Sequence, residues 1–224
     1  MIGSALLLSL IGGLVLLDKQ AIGEFGISQP IVACPLLGLI FGDFNIGLLL
    51  GGVLQLVWIG SLPLGAKEPL DNQGAGVVAM SIFILAKNIS LNTPHEKIIF
   101  VSFLFAGIAS IIGQVLSQIL KKTNNYLFNR VNKDSSDKLI ISTHLSGLVT
   151  ALLRGFVLII IFLILFILIA PLIKLLPNFQ LGELLVLPLA IGLAGIARLV
   201  IIKRQLLYSI LGVVTGLALW VLLK

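Results

Sequence analysis

The stretch "ISQPIVACPLLGLIFGDFNIGLLLGGVLQLVWIGSL", residues 27–62, decides how this chain must fold. It is almost free of charge, yet it does not read as one long helix. A membrane-spanning helix needs about 20 apolar residues. The run Ile27–Phe41 falls short of that and carries Pro30 and Pro35. The run Ile46–Leu62 is about long enough to span. Between them, Gly42-Asp43 reads as a turn. The next apolar run, Gly74–Ala86, is short again, and Gly and Pro border both short runs. Short, broken apolar segments of this kind mark re-entrant hairpins or discontinuous helices around a binding site. Simple short tilted helices are the plainer alternative. We favour the re-entrant reading.

The rest of the chain sets the solvent. Of 224 residues, 58% are hydrophobic and only 11% are charged, and the mean hydropathy is +1.18. A soluble domain carries roughly 25% charged residues, so a chain of this size could not hide its apolar surface from water. The fold class is all-α: a polytopic transmembrane helical bundle with short re-entrant or discontinuous helices. Residues 1–224 read as a single integral membrane domain, because no interval has the mixed composition of a soluble one. Within it, 26–86 is the broken-helix region. Further apolar runs lie at Ile2–Leu17, Ile98–Leu120, Leu139–Ala170, Leu181–Ile202 and Leu206–Leu223. The first lacks the positive n-region of a signal peptide and reads as a retained membrane segment. The net charge of +6 is a loop signal, not a nucleic-acid one. Lys121, Lys122, Arg130, Lys133 and Lys138 crowd residues 121–138, which read as a cytoplasmic basic loop. Lys203-Arg204 should share that side, which puts 171–180 outside. The run 139–170, interrupted by His144 and Arg154, would then hold a re-entrant piece plus one span.

Polar residues inside such a chain need a reason, since a charge at the bilayer centre costs roughly 2.5–3.5 kcal/mol on insertion scales. The richest cluster is Lys67, Glu68, Asp71, Asn72 and Gln73. Carboxylates and amides suit sugar hydroxyls, each of which both donates and accepts. Lys67 could pair with a carboxylate there. A solvated surface loop is the alternative. Gln55 lies mid-helix, with Trp58 on the same helical face. An amide beside a ring suits a sugar, whereas a Trp in the interfacial belt is commoner. Cys34 reads as a small buried hydrophobe. Arg154 could mark a break between two helical pieces. Phosphate loops, zinc motifs and nucleophile elbows are missing from the sequence, and its two histidines, His95 and His144, lie far apart. No catalytic residue, metal or cofactor is expected. Gly47 with Gly51, and Gly38 with Gly42, have the spacing that lets helices approach closely.

Together these residues resemble a known family. Gln29-Pro30 through Cys34, Gly38 with Gly42-Asp43, Gly47 with Gly51-Gly52 and Gln55, then Gly65-Ala66 with Asp71, are similar to the motif string of the IIC subunit of the mannose/fructose/sorbose family of the bacterial phosphotransferase system. His144 and Arg154, in "THLSGLVTALLRG", keep that family's spacing. The sequence departs from the family in carrying Gln55 where Glu is common, and "KEPLDNQ" where an "APD"-like stretch is common. The resemblance implies a multi-pass permease subunit of the bacterial inner membrane that binds and delivers a hexose-type sugar. It implies a IID membrane subunit as partner, oligomers of IIC–IID units, and cytoplasmic IIA and IIB phosphocarriers that do the phosphoryl chemistry. It implies an elevator-like movement of a core against a scaffold. The expected substrate-binding residues are Asp71, Asn72, Gln73, Glu68, Gln55, Gln29 and Lys67. An independent ion-coupled secondary transporter is the alternative function.

Overall fold

In the computed structural model, described over residues 2–59, 69–89, 93–131 and 137–200, the chain forms seven α-helices. They are α1 (Ile2–Leu17), α2 (Pro30–Phe41), α3 (Phe44–Trp58), α4 (Asn72–Asn88), α5 (His95–Val131), α6 (Asp137–Ile169) and α7 (Leu181–Val200). A π-helical turn, Asp18–Ile22, extends α1, and a 3-10 turn, Ala170–Leu175, follows α6. Three segments are long and apolar enough to cross a membrane: α1 with its π turn, α5 and α6. The chain is a membrane protein, and the all-α reading holds among the described residues.

The first short run folds as one arm of a helical hairpin, with α3 as the other. At 12 residues, α2 is about 18 Å long, well below the roughly 30 Å of a bilayer core. Gly42 ends it in the left-handed conformation, at φ 82°, which glycine adopts without steric cost. The turn hands over at once to α3, so Gly42-Asp43 is the predicted turn. The hairpin is tight because Gly47 and Gly51 of α3 lie directly on the α2 backbone at Cys34 and Pro30. The predicted small-residue spacing is therefore a packing device.

Helix α4 is the centre of the molecule. From Gln73 to Ala86 every residue is buried, and α1, α2, α3, α5 and α6 all pack on it. A helix that is apolar all round must be covered on every side. Its C-terminal end is tied to the hairpin tip by Lys87, whose Nζ lies 2.7 Å from the Asp43 carboxylate. Around it, α1 and α6 run antiparallel in close contact at Gly13 and Gly155, and α7 leans on α3 through Gly192.

Three expectations are corrected. The run 139–170 is one continuous helix, so it holds no re-entrant piece, and Arg154 marks no break. As one helix, α6 puts Asp137 and the 3-10 turn Ala170–Leu175 at opposite ends. The basic stretch is also not a loop throughout: residues 121–131 are the last turns of α5, and Asp137 opens α6. Lysines and amides on one face, with Leu120 and Leu127 interleaved, let a helix run on past the apolar zone. Trp58 is not exposed at a belt either. It is buried with Leu54, Ala75, Ala79 and Ala106.

Candidate functional site

Asp71 stands at the N-cap of α4, and its backbone and side chain are both committed. Its N–H donates to the Ser110 carbonyl of α5 at 3.0 Å. Its Oδ1 accepts from the Gly74 N–H at 3.2 Å, which satisfies one of the four orphan donors of a helix start. The Lys19 Nζ lies 3.5 Å from the same oxygen. Its Oδ2 accepts a charge-assisted hydrogen bond from Arg154 Nη2. That nitrogen also donates to the Gly113 carbonyl at 2.8 Å and to Ser117 Oγ at 2.9 Å. The Asp71 side chain is 1% exposed, that of Arg154 4%, and that of Lys19 23%. Gly113 and Arg154 sit near the middles of α5 and α6. The ion cluster therefore lies deep in the bundle and joins α1, α4, α5 and α6. Gly113 is required at its place, because a β-carbon there would collide with the Asp71 carboxylate.

A second polar group lies beside the first, around Pro30. This residue, the first of α2, is wedged between Gly51 of α3 and Gly76 of α4. Gln29 immediately precedes it, Gln55 follows Gly51 by one helical turn, and Asn72 and Gln73 precede Gly76 by about one turn. The side-chain oxygens of Gln29, Gln55 and Gln73 are each buried without a hydrogen-bond partner. Gln73 is 1% exposed. A buried acceptor left empty costs about 1–3 kcal/mol, so these three oxygens are candidates to receive donors from a ligand.

The loop that carries Gln29 into position is itself held by a charge. The buried Asp18 accepts from the N–H groups of Phe25 at 2.8 Å and Ser28 at 3.0 Å, and from Ser28 Oγ at 3.0 Å. Three positive-φ residues allow this turn: Gly23, Glu24 and Gly26.

Of the expected site residues, Asp71, Asn72 and Gln73 open α4, while Gln29 adjoins Pro30 and Gln55 lies one turn beyond Gly51, at the contact of Pro30 with Gly51 and Gly76. Lys67 and Glu68 lie outside the described residues. Asp71 differs from the amides in having both oxygens occupied by the protein. Lys19, Asp18 and Ser117 were not read from the sequence. The usable signal was Arg154: a cation inside an apolar run demands a partner. His144 is exposed, in a 430 Å³ cleft with Gln20, Asn124, Asn125, Phe128 and Thr143. Among the described residues no group of three His, Cys, Asp or Glu could hold a metal ion.

The arrangement offers hydrogen bonds to a neutral polar ligand and an internal ion lock. Comparison with known proteins gives the family. Over residues 2–221 the chain matches the family described as PTS system sorbose-specific IIC component. It is 29% identical over 139 residues to the PTS system sorbose-specific EIIC component of Lacticaseibacillus casei, covering 60% of this chain and 47% of that one. It is 30% identical over 103 residues to the PTS system mannose-specific EIIC component of Escherichia coli (strain K12), covering 44% of this chain and 34% of that one. It is 38% identical over 61 residues to the putative N-acetylgalactosamine permease IIC component 2 of the same strain, covering 27% and 45%. The matched segment thus spans less than half the length of each of these relatives. A solved chain described as "Structure of membrane protein" superposes with a TM-score of 0.71 at 20% identity, covering 99% of this chain and 90% of that one, which shows a shared fold. With a family match across nearly its whole length, the chain belongs to the family described as PTS system sorbose-specific IIC component.

Proposed function

We propose that this chain is the membrane permease subunit of a sugar phosphotransferase system, and that it binds a hexose-class sugar at the amide group around Pro30. The observation that carries this is the set of three buried amide oxygens without partners, on Gln29, Gln55 and Gln73. Sugar hydroxyls donate to such oxygens and accept from the neighbouring amide N–H groups. Because the oxygens are already desolvated, a ligand lacking a hydroxyl at the matching position forfeits binding rather than merely failing to gain it. Asn72, at the first turn of α4, is placed to complete the set.

Asp71 takes a different role in this reading. It is a positioning residue, which fixes the start of α4 and therefore the direction of Gln73. In this reading phosphorylation is the work of cytoplasmic IIA and IIB partners. A IID membrane subunit completes the translocation unit, assembled in oligomers in the bacterial inner membrane. The family membership and the sorbose, mannose and N-acetylgalactosamine names of the relatives support the sugar class. The α2–α3 hairpin, pinned to α4 through Pro30 and Lys87, would travel with α4 as one body in an elevator-like movement.

The test is uptake by membrane vesicles containing this chain and its IID partner. Sugar should appear inside as its phosphate, and only with phosphoenolpyruvate and the soluble components present. Accumulation of unmodified sugar driven by an ion gradient would overturn the proposal in favour of an independent secondary transporter.

A further inference from the structure

The ion lock at Asp71 is not neutral. Two cations, Lys19 and Arg154, share one carboxylate, and the N-terminal end of α4 adds partial positive charge at the same point. Arg154 makes all its described hydrogen bonds through Nη2, while Nε and Nη1 are buried without an acceptor. Excess positive charge in a low-dielectric interior calls for a compensating anion.

There is a place for one. A cleft of 230 Å³ is lined by Lys19, Gln20, Glu24, Ser117, Lys121 and Asn124. Its floor is the ion lock, since Lys19 pairs with Asp71 and Ser117 Oγ accepts from Arg154. Ser117 Oγ also lies 3.5 Å from Gln20 Nε2, as its acceptor. Besides Leu120, Lys121 and the Glu24 carboxylate, the lining thus presents the Lys19 ammonium, the Ser117 hydroxyl and the amides of Gln20 and Asn124. A neutral sugar would satisfy hydrogen bonds there but would leave the charge uncompensated. A phosphate group brings both the charge and several acceptor oxygens for converging donors.

We propose that this cleft is an anion site for a phosphate group, supplied by inorganic phosphate, a soluble phosphate monoester or a lipid headgroup. It is separate from the amide group around Pro30 and does not rest on the sugar reading. The test uses the full chain in nanodiscs, with equilibrium binding of radiolabelled inorganic phosphate at fixed ionic strength. Binding should saturate in phosphatidylcholine discs and be displaced by a hexose phosphate but not by the neutral hexose. Lys19→Gln should weaken it about tenfold, equivalent to about 1.4 kcal/mol. Ser117→Ala, which barely changes volume, should weaken it several-fold, while Lys122→Gln should leave it unchanged. Phosphate affinity that falls in phosphatidylglycerol discs assigns the site to a lipid headgroup; equal affinity in both assigns it to soluble phosphate. Absence of saturable binding in phosphatidylcholine discs, or equal affinity in wild type, Lys19→Gln and Ser117→Ala, overturns the proposal. Gln73→Leu separates the two sites: it should abolish sugar binding and keep phosphate binding.

Discussion

Replacing Asp71 by asparagine separates the charge of this side chain from its shape. Asparagine is an equally good N-cap, so the bond to the Gly74 N–H survives. What disappears is the one negative charge facing Lys19 and Arg154. Removing one partner of a buried ion pair costs roughly 3–5 kcal/mol. The lower end applies here, because the Lys19 side chain is 23% exposed and can swing its ammonium toward water. A loss of about 3 kcal/mol in a chain of this size lowers the melting temperature by about 6–12 °C. The assay is thermal unfolding of the purified protein in detergent, followed by tryptophan fluorescence. The double variant Asp71→Asn/Arg154→Met removes the stranded cation as well, and should recover most of the loss. If Asp71→Asn melts within about 2 °C of wild type, a shift worth about 1 kcal/mol or less, the reasoning is refuted. It is refuted equally if the double variant loses the sum of the two single changes.

Other consequences follow from particular contacts. Gln73→Leu and Gln55→Leu should each reduce sugar uptake at least about tenfold in vesicles, with melting temperatures at or above wild type, since a buried acceptor without a partner is removed in each; normal transport in both would exclude these amides from the pathway. Gly113→Ala should destabilise by about 1–3 kcal/mol through overpacking against Asp71, whereas Gly52→Ala, whose new methyl meets open space, should leave the melting curve unchanged. Asp18→Ala should raise the KM for sugar by loosening the loop before Gln29, and a KM equal to wild type would disconnect the two. Lys87→Ala breaks a half-exposed ion pair with Asp43 and should cost under about 1 kcal/mol in the same unfolding assay.

Much of this molecule was written locally. Composition alone demanded a bilayer, because apolar surface on that scale has no other solvent. The weak lengths of 27–41 and 74–86, the Gly42-Asp43 turn and the spacing of Gly47 and Gly51 were legible, since each depends on a few neighbouring residues and on backbone geometry. The amides of 72–73, with Gln55 and Gln29, stood out for the same reason: polar groups in an apolar run have to be used. What the tertiary structure decided was their company. Arg154 looked like a break in 139–170 only as long as its charge had no partner. With Asp71 brought across from the start of α4, a distance of 83 positions along the chain, the helix runs through unbroken. Lys19 carries no signal in the sequence; the π turn that follows α1 brings it to the same carboxylate. Residues 121–131 looked like a loop because composition was read without the helix that carries them. Charge pairing between distant segments has no local signature, so which cation meets which carboxylate, and how much charge is left over, emerged only once the helices were packed together.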